Sequence, residues 1–106
     1  MKKVETNPIH KYSNLLYDLL PSVMEDRSQT DNEAEILCWA ASECLTRIKE
    51  NSLEEYNDIK AHFLKDIVDI MIKLEREEEY EKVENVNRKV ENLNRFKALL
   101  IKEMKW

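Results

Sequence analysis

Five side chains between residues 55 and 69 form the most chemically suggestive pattern in the chain. Projected on a helix at about 100° per residue, Glu55, Asp58, His62, Asp66 and Asp69 fall within an arc of about 80°. Carboxylates flanking an imidazole are a donor set for Mg²⁺ or Mn²⁺, and a metal held there would activate water for hydrolysis. Lys65 and Lys73 share or border the same arc. No glutamate stands three residues before His62, and no other segment offers a histidine in matching spacing. An ordinary solvated helix face is therefore the simpler reading, and the metal site is the weaker alternative.

A related enzymatic reading is an all-α nucleotide pyrophosphatase, whose magnesium site uses Glu-x-x-Glu and Glu-x-x-Asp pairs on neighbouring helices. Here Glu55-x-x-Asp58 and the glutamates from Glu75 to Glu81 qualify, but Glu33, Glu35 and Glu43 supply no pair at spacing three. Half of such a site is missing. His10 has no Ser or Cys beside it to activate, and nothing in the chain arranges a triad. Cys38 and Cys44 lie six apart, roughly 120° from each other on a helix, which is too divergent for a local disulfide or a shared metal ion. They read as small core residues in a reducing compartment. No catalytic residue and no cofactor is expected.

Trp39 points to a different kind of chemistry. It falls among Glu35, Glu43, Thr46 and Glu50, opposite the apolar arc of its own segment, and an exposed indole often marks a contact. The bland reading is that another part of the chain folds over it, with the indole N–H reaching water or a carboxylate.

The elements that carry these residues are helical throughout. The 106 residues contain no glycine and two prolines, Pro8 and Pro21, in a background of good helix formers. Phosphate-cradling loops, nucleophile elbows and dinucleotide folds use glycine at strained backbone positions, so those enzyme classes are disfavoured. The net charge is −5, from 22 acidic and 17 basic residues. A charge of that sign exerts no global pull on nucleic acid or an anionic membrane. Arg88, Arg95 and Lys102 are interrupted by Glu84 and Glu91, which suits a solubilising stripe better than a nucleic-acid surface. Residues 1–5 lead into no apolar stretch, and no run of about 18 apolar residues occurs. A cytoplasmic protein without a membrane span is expected.

The spacing predicts an all-α, antiparallel bundle of about four helices in one domain, residues 1–106, with helices near 8–24, 31–50, 52–75 and 79–105. Asn7-Pro8 is a sound helix start, and Pro21 should kink or end the first helix near Leu20. Thr30 with Glu33, and Ser52 with Glu55, fit capping boxes. The core arc of the second helix is read as Ile36, Leu37, Ala40, Ala41, Cys44, Leu45 and Ile48, with Ala34 and Cys38 at its margin.

From Leu53 to Trp106 nothing obliges the helix to break. The stretch Glu77-Glu78-Glu79-Tyr80-Glu81-Lys82-Val83 resembles the bend of the UVR-type helical hairpins of excision-repair and Clp-adaptor proteins, where an acidic-aromatic turn precedes the second helix. Val83, Glu84 and Asn85 stand where those hairpins carry alanines, so the resemblance implies a bend and nothing more. The alternative is one continuous helix pairing with another chain along Val83, Val86, Val90, Leu93, Lys97, Leu100 and Met104.

Two segments carry more apolar surface than a bundle needs. Leu64, Val68, Met71 and Ile72 widen the stripe of Tyr56, Ile59, Phe63, Ile67, Ile70 and Leu74 to about 220°. Phe96, Leu99, Leu100 and Ile101 point to nearly every side of the last helix. That surplus fits either a central position for the third helix or a subunit interface, and a homo-oligomer is the favoured reading. The composite reading is a small protein-binding protein, an adaptor, inhibitor or immunity-type factor of the phage or bacterial regulator kind, that acts by occupying a surface. Its partner-binding residues would be Trp39, Glu35, Glu43, Leu64, Val68, Ile72, Phe96 and Leu99. The alternatives are the metal-dependent hydrolase, and a small-ligand sensor in which Trp39, Tyr12 or Tyr17 stacks a nucleobase between subunits.

Overall fold

A computed structural model describes residues 8–27, 31–77 and 82–106. Four helices, α1 (Pro8–Glu25), α2 (Asp31–Asn51), α3 (Leu53–Arg76) and α4 (Val83–Met104), pack as an all-α bundle, with no strand among the described residues. No helix among them is long and apolar enough to cross a membrane. α2 packs against α4 as well as against its neighbours in sequence. α2 and α4 form the close diagonal of the bundle, while α1 and α3 barely meet.

Pro21 does not end α1. The helix continues through it to Glu25. The proline is exposed, so the Tyr17 carbonyl that loses its donor lies towards water, and the fixed φ of the ring suits a helix. Beyond it Val23 is buried, and its packing holds the last turn in place. The carbonyls at that end are satisfied from elsewhere in the chain. Asn92, a buried side chain of α4, donates from Nδ2 to the Asp26 carbonyl at 2.8 Å and to the Met24 carbonyl at 3.3 Å. A helix end closed from a third helix in this way needs no glycine in a left-handed cap.

The α2–α3 junction is a single residue. Ser52 Oγ accepts from the Glu55 N–H at 3.2 Å, as the capping box requires. The reciprocal half is displaced, because the Ser52 N–H is still donating to the Ile48 carbonyl as the last bond of α2. The Thr30 box, the Asn7 cap and the tyrosine of the acidic turn lie outside the described residues. The chain does break after Arg76 and restart at Val83, so α3 and α4 form a hairpin and not one long helix. The heptad positions of α4 are used within the chain: Val86, Leu93 and Leu100 are fully buried.

The buried stripe of α2 differs from the expected one. Ala34, Cys38, Ala41, Leu45 and Ile48 are buried, whereas Ile36 is 57% exposed. Two helices, α1 and α4, press on α2 from either side, and small residues allow that approach where a branched side chain would hold them apart. Both cysteines are free and buried. The core is completed by Leu16, Leu20, Phe63, Ile67, Leu93, Phe96 and Leu100.

At the far end of α4, Lys105 adopts a left-handed conformation at φ 57°, and its N–H and that of Trp106 return to the Lys102 and Ile101 carbonyls. Glycine usually takes this position. Here the cost to a lysine is offset by Trp106, whose indole N–H donates to the Tyr56 hydroxyl at 2.7 Å.

Replacing Asn92 with alanine removes the side-chain donor that serves the Met24 and Asp26 carbonyls. A loss of about 1–3 kcal/mol in urea unfolding, with an unchanged m-value, is expected. A loss within experimental error would show that water replaces the amide.

Candidate functional site

Trp39 is 68% exposed, the most exposed large apolar side chain described. Its indole stands as a wall between two depressions. On the α4 side, a cleft of about 480 Å³ is lined by Glu35, Cys38, Leu99, Lys102, Glu103 and Lys105 together with Trp39 itself. On the other side, a shallower one of about 260 Å³ is lined by Asn32, Glu35, Ile36 and Trp39. The cleft exists because α2 and α4 cross with small side chains between them. Cys38 forms its floor, and α4 contributes Leu99 and Glu103 one turn apart.

Two carboxylates lie near that floor. Burial, then the charges of Glu103 and Glu35, push the Cys38 thiol up to about 11. At neutral pH it is therefore a protonated, weakly nucleophilic thiol. Cys44 is likewise raised by burial, with a smaller contribution from Glu43.

The expected partner-binding residues divide by location. Trp39, Glu35 and Leu99 meet at the cleft. Glu43 lies one turn further along the same face of α2, engaged by Arg47 at 3.1 Å. Val68 and Ile72 are 36% and 44% exposed on α3, with Leu64 half-buried. Phe96 does not belong with them: it is fully buried, edge-on to Phe63 with ring centroids 6.3 Å apart, and serves the core. The apparent excess on α4 is absorbed within the bundle, because the helix is flanked on several sides by its neighbours. The excess on α3 remains at the surface.

The helix 3 carboxylates and histidine do not converge. His62 Nδ1 lies 2.8 Å from the Asp58 carbonyl and 3.5 Å from the Asp58 carboxylate. Asp69 accepts from Lys65 at 3.1 Å, and Asp66 turns towards α1 to accept the Tyr17 hydroxyl proton at 2.6 Å. Glu55 lies at the helix start, beside the Ser52 cap. No group of three or more His, Cys, Asp or Glu side chains able to share a cation occurs among the described residues. His10 is exposed.

Of the tyrosines suggested for stacking a base, Tyr17 meets Phe63 edge-on at 5.1 Å and bridges α1 to α3. Tyr12 is half-buried against the core, with the Lys11 ammonium 5.7 Å from its ring centre. Sequence reasoning missed both Glu103 and the floor role of Cys38. Glu103 follows Leu99 by four residues on α4, which was a usable signal, but only the crossing of α2 and α4 aims it at Trp39.

Comparison with protein-family models, curated proteins and solved structures finds no match to this chain.

Substituting Phe96 by alanine should cost about 3–5 kcal/mol of stability through the cavity it leaves, whereas Trp39→Ala should stay within about 0.5 kcal/mol. Thermal and urea unfolding distinguish them, and comparable losses would mean that Trp39 is structural. A second expectation concerns pH. Burial, then the hydrogen bond and charge of Asp66, raise the Tyr17 phenol above its ordinary value of about 10. The stability this contributes is present below that ordinary value and is lost as the pH climbs through the raised one. One tyrosine should thus ionise later than the others in an absorbance titration, and Tyr17→Phe should remove that late step. A single shared transition at the ordinary value would contradict this.

Proposed function

We propose that this protein works by binding another protein through the Trp39 cleft, as an adaptor, inhibitor or immunity-type factor that occupies a surface and performs no chemistry of its own. The observation that carries this reading is the exposed indole bounded by two adjoining depressions, one with an apolar floor. An indole left in water forgoes the burial that large aromatics contribute to folding, roughly 25 cal/mol per Å² of apolar surface. It would recover that stabilisation in a complex, where tryptophan is the commonest kind of anchor. The charged rim of Glu35, Glu103, Lys102 and Lys105 around an apolar centre is the composition of a recognition patch.

Self-association fits a different face. Val68 and Ile72 on α3 would be covered in a homo-oligomer, leaving the Trp39 cleft for a foreign partner. Two buried free cysteines suit the reducing cytoplasm.

The test is capture of partners from native lysate by the wild type and by Trp39→Ala, with helicity and melting temperature measured on both. Loss of capture by about thirtyfold with the fold intact is expected, the scale of an interface anchor. Equal capture would remove the cleft from the function.

A further inference from the structure

The geometry points to a basic side chain, an arginine or lysine of the bound protein, as the occupant of the cleft, seated on the Trp39 indole between the carboxylates of Glu35 and Glu103. This inference rests on the reading of the cleft as a protein-binding surface and names what that surface recognises.

The first observation is the state of the aromatic rings. Lys11 lies over Tyr12, Lys49 over Tyr56 and Lys60 over Trp106, at 5.3 to 5.7 Å from the ring centres. Tyr17, Phe63 and Phe96 form a chain of edge-on pairs. Among the described residues, Trp39 is the one aromatic ring with neither a ring partner nor a cation, although indole is the strongest cation acceptor of the three aromatic types.

The second observation is the state of the carboxylates. Glu25, Glu43, Asp58, Asp66 and Asp69 each have a partner in the chain. Glu35, on α2, and Glu103, on α4, line the same cleft from its two walls, and neither is engaged by an ion pair or hydrogen bond among the described residues. Lys102 and Lys105 also stand on the rim, and neither pairs with these carboxylates. Both lysines are exposed on long stems whose heads remain in water. Near the floor, the charges of Glu103 and Glu35 reach the Cys38 thiol, second to burial in their effect on it.

A guanidinium fits this arrangement in three ways. Its plane stacks on an indole, its donors reach carboxylates on two sides, and its weak hydration makes burial against Leu99 and Cys38 tolerable. Lysine would satisfy the charge but not the stacking plane.

The experiment is a ¹H–¹⁵N NMR titration of the full chain with N-acetyl-arginine methylamide and with the corresponding citrulline amide, which has the same shape and no charge, at constant ionic strength. The indole signals are assigned with Trp39→Phe. The arginine amide should shift the Trp39 indole N–H and leave that of Trp106 in place. Citrulline should shift neither, and Glu35→Gln/Glu103→Gln should weaken arginine binding by about tenfold. Equal shifts with citrulline, unchanged binding by the double variant, or no shift at roughly 100 mM arginine amide would each overturn the inference.

Partner capture separates this from the parent proposal. If the double variant still captures partners that Trp39→Ala loses, the cation is wrong and the protein-binding reading stands. If arginine binds at Trp39 while Trp39→Ala captures partners as the wild type does, the site is real and the protein-binding reading falls.

Discussion

The bundle depends on the contact between Phe63 of α3 and Phe96 of α4, two fully buried rings whose edge-on packing is continued by Tyr17 of α1. This aromatic line joins three helices at mid-height, and it is the main link between α1 and α3, the pair that otherwise meets least. The Tyr17 hydroxyl extends the line to a polar partner at Asp66, so the same residue that packs the core also sets the rotation of α3. Large rigid rings suit this role because each buries much apolar area for the loss of few rotatable bonds.

A chain without glycine must end its helices by other means, and the tertiary structure supplies them. Asn92 reaches from α4 to close the end of α1, Ser52 serves as both the last donor of one helix and the cap of the next, and Trp106 holds Lys105 in a left-handed turn. Each of these devices ties a helix terminus to a different helix. The termini are therefore part of the packing, and small side chains on α2 let it approach α4 closely. That approach, over Ala34, Cys38 and Ala41, makes the cleft beside Trp39.

The contrast between the two surfaces left open has a physical basis. On α3, Val68 and Ile72 stand exposed on one face of the helix. Beside Trp39, the exposed apolar group stands over a recess with uncommitted acidic groups on both walls, a shape suited to an inserted side chain. Glu43, Asp58 and Asp69 pair with neighbours four residues away along their own helix, where geometry makes pairing easy. Glu35 and Glu103 face across a gap between helices, where no neighbour of that kind exists.

Helical spacing and cap chemistry determined the first two helices, the start of α3 at the Ser52 cap and the place of Trp39 opposite the apolar arc, because each follows from a few neighbouring residues. Spacing left open whether the chain breaks between α3 and α4. The face that α2 buries was misjudged at Ile36, since hydrophobicity cannot weigh the close approach of two neighbouring helices against the size of a side chain. Phe96 was misplaced at the surface for a related reason: an apolar residue on a crowded arc can be assigned to the core only once the neighbours on each side are known. The turn of Asp66 towards Tyr17, the Asn92 clamp and the meeting of Glu103 with Trp39 were decided by tertiary structure. All three depend on distances between residues far apart in the chain, which no local pattern encodes.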